Sequence, residues 1–599
     1  MLFGKYVNRF YLKYGLYFLI GIITLVAVDY IQLLVPEYLG QVVDILKADG
    51  VPVDLDAINR IVLYVIFIAL GMFAGRIIWR LAIFRAATEI EASLRHQMFQ
   101  KAERLSINYY HENKVGTVTA WFTNDLETIE EFYGWGTIML VDAFFMSVLV
   151  IVKMFQLELI LTLIALIPII LIVIWGGLVE KFMSMKWDER QKAYDHLYDF
   201  SQENFTGIRV IKAFVKQNQE LHAFAKVAKK SKDVNISFAR VSAIFDSIIE
   251  VIIVAILALV LGFGGYFTYQ AIIGDAVSIW GHTIKLTAGE LVTFLGYFET
   301  LIWPTIALGQ IVSMRSRAKA SLKRITTFLD AEEDVRDAEN AYELTGVTGE
   351  ITFNDFSFVY PDSGKLYLKN ISLTIKAGEK IGVVGRIGSG KTTLVNSLLR
   401  SYNVDKGAIL IDGHDIMDVT LHSLRHNIAY VPQDNFLFSD TIKNNITFGD
   451  EEENISNDSY VSAAKFSDVD NDIVGFKNAY DTVSGERGVT LSGGQKQRIS
   501  IARAFYTHAP ILILDDSVSA VDVKTEETIL HNIQTEREGK TTIVVASRVS
   551  TVAHMDRIIV LSDGRLEAFD TPKNLEKISP TYKSMVELQK LEDEVEGGK

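Results

Sequence analysis

The 599-residue sequence contains no cysteine. That absence excludes disulfides, zinc–thiolate and iron–sulfur centres, and thiol nucleophiles as the basis of any activity. Charge is also scarce, at 22% of residues against 49% aliphatic and aromatic, a balance that leans towards a membrane protein. The charge that is present leaves a formal net of -14, so the chain lacks the basic face of a nucleic-acid scaffold, and no nucleic-acid partner is expected. Its length exceeds what one core serves, and two or more domains are expected.

The apolar residues cluster before about residue 315. A helix needs roughly 20 apolar residues to cross a bilayer. Six stretches meet that length: 14–35, 61–79, 134–152, 157–179, 248–269 and 290–312. The first is a full span without a convincing cleavage site, so no cleaved leader is expected. Before it, "LFGKYVNRFYLKYG" mixes aromatics with Lys5, Arg9 and Lys13, as a segment lying on the membrane surface does. The long loops at 80–133 and 180–245 carry Arg85, Arg95, Lys101, Arg104, Lys212, Lys216, Lys229 and Lys230, whereas the connection after the first span is mostly acidic. Basic loops stay on the cytoplasmic side, which puts both loops and both termini there, in a multi-pass protein of the cell membrane. The loops have few glycines, no proline and apolar residues at helical spacing, so they read as helices continuing beyond the bilayer.

The charged segment 330–343 marks a boundary, after which strand-like and helix-like stretches alternate as in an α/β nucleotide-binding fold. "KIGVVGRIGSGKTTLVNSLL" is an apolar strand, a glycine-rich turn and a helix. Gly385, Gly390, Lys391 and Thr392 meet the pattern G-x-x-x-x-G-K-[ST], with Gly388 and Ser389 inside the turn and Thr393 after it. Glycines let backbone N–H groups close around phosphate oxygens, the lysine reaches the β- and γ-phosphates, and the threonine hydroxyl binds Mg²⁺. ATP and Mg²⁺ are the expected cofactors.

Further on, "VTLSGGQKQRISIARAF" contains Leu491, Ser492, Gly493, Gly494 and Gln495. Here the whole chain resembles a half-transporter of the ABC exporter family. The resemblance spans the surface segment, the six spans and "GIRVIKAF" at 207–214, which is similar to a second coupling helix. It implies a helical transmembrane domain (1–325), a linker (326–347), an α/β P-loop nucleotide-binding domain (348–590) and an acidic tail (591–599). It further implies that Tyr360 stacks on adenine, that Gln433 lies near Mg²⁺, that Asp515 holds the metal and that Asp522 belongs to a D-loop in "SAVD". Two such domains would meet head to tail, each ATP lying between the P-loop of one and the "LSGGQ" of the other.

Two positions depart from the family pattern. The residue after Asp515 is normally a glutamate that orients the attacking water, and here it is Asp516. The side chain is shorter by about 1.5 Å, and a misplacement of about 1 Å can cost 10²-fold in rate. The switch histidine of a segment resembling "AHRLST" is replaced by Ser547 in "ASRVST", and a serine offers no ring N–H to a γ-phosphate. His554 lies seven residues later, out of register. Since "LSGGQ" is intact, the resemblance points to the degenerate-site member of a heterodimer. The expected partner is a second half-transporter carrying the glutamate and the histidine.

Substrate is less legible. Asp29, Asp142, Glu250 and Glu299 fall in spans and either attract amphipathic cations or bond neighbouring helices and water. Phe144, Phe145, Phe294, Tyr297 and Trp303 either line an apolar cavity or face lipid. Export of amphipathic drugs is the leading expectation, with lipid or peptide export as the alternative. A nucleotide-gated regulator or channel subunit is the alternative of another class.

Overall fold

The computed structural model describes residues 4–47, 53–275, 277–361, 363–449, 457–485, 491–518 and 521–597. They fall into two compact units, one of residues up to 100 with 119–330, the other of residues 101–118 with 331 onwards.

The first unit is helical. A bilayer offers no water to its backbone groups, so an apolar segment must close its hydrogen bonds within itself. Among the described residues five helical segments are long and apolar enough to cross a membrane: Gly15–Leu46, Leu55–Arg104, Val115–Leu157, Gln217–Ile272 and Ala288–Leu329. The expected span at 157–179 lies in the helix Leu159–Thr206, whose apolar stretch Leu159–Pro168 is described with its side chains. The first segment breaks at Leu33 into Gly15–Gln32 and Leu34–Leu46. The third is interrupted by three π-helical turns, Trp121–Asp125, Phe132–Gly136 and Asp142–Met146. A helix Asn8–Lys13 precedes the first span, and Ile208–Ala213 forms the short helix of "GIRVIKAF".

Close backbone approach joins the helices Leu34–Leu46 and Ala288–Leu329. A Cβ on Gly289 would stand 2.1 Å from the Gly40 carbonyl oxygen, and one on Gly40 would stand 2.4 Å from the Gly289 oxygen. Small residues permit such contact between membrane helices, where lipid gives no hydrophobic drive to associate. Polar groups then fasten the seam. The Asp44 carboxylate accepts from the Gly289 N–H at 2.7 Å and the Thr287 hydroxyl at 2.9 Å. Glu37 pairs with Lys153 at 2.7 Å and accepts from the Tyr297 hydroxyl at 2.5 Å. On the same helix as Tyr297, Arg324 and Ser321 both donate to the buried Asp125.

In the second unit, a six-stranded sheet runs in the order Arg565–Asp570, Arg557–Ser562, Lys380–Gly385, Thr541–Val545, Ile511–Asp515, Ile428–Val431. All neighbours are parallel except the first pair. "ILILD" and "TTIVV" are buried at every position, as strands covered on both faces must be. A four-stranded antiparallel sheet (Leu366–Ile375, Ile351–Val359, Ile409–Ile411, His414–Asp415) packs beside it through a shared core. Residues 101–118 join this unit: Lys101 pairs with Glu333 at 2.8 Å, and His111 on the helix Ile107–Glu112 hydrogen-bonds the Tyr402 hydroxyl at 3.2 Å. The helix Pro580–Gly597 continues into the acidic C-terminal segment.

Gly289→Ala should lower the thermal stability of the detergent-purified protein markedly, by about 1–3 kcal/mol, because the added methyl meets the Gly40 carbonyl oxygen and also displaces the Asp44 carboxylate that fastens the seam. Gly71→Ala, whose Cβ would meet nothing within 4 Å, should be neutral in the same melting measurement.

Candidate nucleotide site

The strand Lys380–Gly385 ends in a tight turn that opens the helix Lys391–Leu398. Two glycines have clear reasons to be glycine. At Gly385 a Cβ would lie 2.3 Å from the Leu561 carbonyl oxygen of the neighbouring strand; Gly390 sits at φ +100° as the helix cap. Inside the turn, the Ser389 hydroxyl is buried and has no partner among the described residues. Lys391 Nζ donates to the carbonyls of Gly385 at 2.9 Å and Arg386 at 3.3 Å, curling over the loop it follows. Burial pushes its ammonium below the usual lysine range against the opposing pull of Asp516 and Asp515. An orphaned hydroxyl beside a half-desolvated ammonium suits an anion with several oxygens, as a polyphosphate is.

Asp515 closes the other side. It is fully buried, accepts from the Thr392 hydroxyl at 3.3 Å and from the Tyr430 hydroxyl at 3.4 Å, and burial pushes its carboxyl above the usual carboxylate range. Tyr430 escaped the sequence reading; its only signal is its place three residues before Gln433 on the strand Ile428–Val431. Asp516 turns out of the sheet at φ +47°, a conformation that Asp tolerates better than most residues, and its N–H donates to the Val545 carbonyl at 3.0 Å. The Ser547 hydroxyl donates to Asp516 Oδ1 at 3.4 Å, so the two non-family positions face each other.

Arg537 steadies this edge from below. Fully buried, it donates to the carbonyls of Ala509 at 3.1 Å, Pro510 at 3.2 Å and Thr541 at 3.2 Å and to the Thr542 hydroxyl at 3.1 Å, and burial pushes its pKa down to about 10. It ties the residues entering the Asp515 strand to the start of its neighbour.

The remaining sequence candidates lie at varied distances from this cluster. Thr393 hydrogen-bonds the Tyr360 hydroxyl at 2.9 Å, and the Tyr360 ring makes edge contacts with Tyr367 and Tyr402. Gln433 is exposed. Ser492 caps the helix Gly493–Tyr506 in a reciprocal box with Gln495, its N–H donating to Oε1 at 3.0 Å and its hydroxyl accepting from the Gln495 N–H at 3.2 Å. Ser492 and Gly493 are exposed, and Gly494 is partly so. Asp522 caps the helix Val523–Glu536 through the Thr525 N–H at 3.1 Å, and that residue's hydrogen bonds hold its carboxyl below the usual range. Ser519 and Ala520 of "SAVD" lie outside the described residues.

The turn, its lysine and the buried aspartate define a P-loop nucleotide-binding domain attached to a helical membrane unit. The family description "ABC transporter transmembrane region" matches residues 18–305, and "ABC transporter" matches 368–519. The chain is 33% identical over 598 residues, 99% of each protein, to "Probable multidrug resistance ABC transporter ATP-binding/permease protein YheI" of Bacillus subtilis. It is 33% identical to the "Multidrug resistance-like ATP-binding protein MdlA" of Escherichia coli, over 96% of this chain and 94% of that one. It is 32% identical to an "ATP-dependent lipid A-core flippase" of Syntrophus aciditrophicus, over 84% and 81%. The solved structure of a bacterial Atm1-family ABC exporter with ATP bound superposes with a TM-score of 0.74 at 25% identity, covering 97% of this chain and 98% of that one. This chain belongs to the ABC transporter family and has the exporter architecture, a helical membrane domain followed by the nucleotide-binding domain.

Gly385→Ala should weaken binding of a fluorescent ATP analogue at least tenfold, since the methyl forces the turn off the Leu561 carbonyl. Equilibrium titration of the purified protein checks it.

Proposed function

We propose that the chain is one half of a heterodimeric ATP-driven exporter of amphipathic compounds, and that its own P-loop site binds ATP but turns it over slowly. The observation that carries the reading is the Asp516–Ser547 pair, a short carboxylate and a hydroxyl where the family places glutamate and histidine. ATP, when bound, supplies the hydrolysable phosphoanhydride. Lys391, Ser389 and the loop N–H groups hold its phosphates, and Thr392, Asp515 and Gln433 hold its Mg²⁺. Tyr360 takes the adenine, and its contacts with Tyr402 and Tyr367 pre-set the ring. Asp516 then has to orient the attacking water with a side chain shorter than glutamate by about 1.5 Å, and a misplacement of about 1 Å already costs on the order of 10²-fold.

Ser492, Gly493 and Gly494 are presented at an exposed helix start, where N–H groups meet an anion. In our reading they complete the ATP site of the partner, with Asp522 nearby. The nucleotide domain and both termini face the cytoplasm. The names of the multidrug relatives support amphipathic drugs as cargo, and the flippase relative supports lipid as the second reading.

Two experiments test the division of labour. The chain purified alone should hydrolyse ATP at no more than a few per cent of the rate of the assembly recovered through a tag on it from its native cells; comparable rates would refute the heterodimer. With the partner's own catalytic glutamate disabled, Asp516→Glu should recover little turnover. Adding Ser547→His should exceed the sum of the single changes, as for groups acting on one transition state. Near-full recovery by Asp516→Glu alone would show that side-chain length was the whole defect.

A further inference from the structure

Of the acids the sequence places in spans, Glu250 and Glu299 are exposed on the helices Gln217–Ile272 and Ala288–Leu329. Glu37 is satisfied by Lys153 and Tyr297. Asp29 and Asp142 differ from all three. Asp29 is 6% exposed, and its Oδ2 is buried with no hydrogen-bond partner. Asp142 accepts from the Trp303 indole N–H at 3.2 Å through Oδ2, while its Oδ1 is likewise buried and unpartnered. Among the described residues neither acid forms an ion pair, and the charges that act on Asp29 are those of Asp142 and Arg76. Arg76 is turned to the Gln32 side-chain oxygen, 3.3 Å away.

Local structure brings the two acids together. A Cβ on Gly75 would lie 2.4 Å from Val28 Cγ2, so the second span crosses the first one residue before Asp29. The third span packs on the first through the π-turn Asp142–Met146, which also packs on the helix that carries Trp303. π-turns widen a helix and frequently mark functional positions. Beside the acids, Trp79 adds a third orphan, a buried indole N–H within the cluster of Leu25, Val28 and Val141.

An unpaired carboxylate is costly at membrane depth, and a second one in the same place raises the demand for a positive charge, which a proton or a bound cation meets. Trp303 supplies the other half of a cation receptor. Its N–H is fixed on Asp142, the residue is 46% exposed, and tryptophan is the best aromatic face for an organic cation. We propose that Asp142 and Trp303, backed by Asp29, form a recognition site for lipophilic organic cations inside the membrane unit. The proposal rests on the export reading above and names the charge class of the cargo.

Vesicles containing the assembly recovered through a tag on this chain separate the possibilities, with ethidium as the permanently charged probe and calcein acetoxymethyl ester as the uncharged one. The wild type should accumulate both in an ATP-dependent manner. Asp142→Asn should raise the KM for ethidium at least tenfold and leave that for the ester within twofold, Asp142→Glu should restore the ethidium value, and Asp29→Asn should raise it about threefold. Trp303→Leu, at a half-exposed position that should not disturb folding, gives an independent reading and should match Asp142→Asn, whereas Trp303→Phe should keep most of the ethidium affinity. An unchanged ethidium KM, or equal loss on both probes without rescue by glutamate, overturns the cation site. Transport of the ester but not ethidium by the wild type overturns it while sparing drug export, and transport of neither overturns the drug-export reading itself.

Discussion

Burying one strand on both faces is the constraint from which the nucleotide site follows. Ile511–Asp515 has no exposed position, and its parallel partners are Ile428–Val431 on one side and Thr541–Val545 on the other. Such a strand must be apolar until it ends, so the first carboxylate it delivers, Asp515, arrives in a dry place. That is why Thr392 and Tyr430 have to meet it and why its carboxyl is pushed up. Arg537 keeps the opposite end in place by collecting carbonyls that the sheet edge leaves over. A site built this way tolerates little slack, because a one-residue slip would turn Asp515 away from Thr392.

The same register bears on Asp516 and Ser547. Asp515 pairs with Val545, so the residues following each strand leave the sheet at one edge, and the second residue after Val545 comes within hydrogen-bond reach of the first after Asp515. Two departures 31 positions apart in sequence are therefore one change in space. A hydroxyl that donates to a carboxylate stabilises its charge but also occupies an oxygen needed for orienting water. On the degenerate-site reading, the two substitutions do not merely weaken catalysis twice; each gives the other a partner that competes with substrate.

Much of this was legible in the sequence, and what was not has a common cause. The spans are visible because a bilayer-length apolar run has few other meanings, and the phosphate turn because glycine and lysine spacing encodes backbone geometry locally. Asp515 followed from the apolar run that precedes it. Tyr430, Arg537 and the Gly40–Gly289 contact were invisible, since each acts on residues brought near only by tertiary packing. The π-turns left no periodic trace, whereas the break at Leu33 has a local sign in Pro36, whose missing N–H leaves the turn across Leu33 open. The setting of Asp29 is tertiary too: a second helix runs on from Leu34 to Leu46, and the carboxylate is buried on a span against which the π-turn of Asp142 packs.

Within the membrane unit the useful distinction is satisfaction rather than polarity. The seam between the first and last spans is rich in polar groups, but Asp44, Glu37, Thr293 and Tyr297 each find a partner there. Those bonds fix how two helices meet at a glycine contact, a structural task that hydrogen bonding completes. Asp125 with Arg324 and Ser321 does the same beyond the spans. Asp29, Asp142 and Trp79 leave atoms unmet in the same bundle. Trp175, Thr268 and Gln270 each leave one buried atom unmet as well, but Asp29, Asp142 and Trp79 gather about one cluster of Leu25, Val28 and Val141, and a half-exposed indole bonded to Asp142 gives the charge there somewhere to be met from outside.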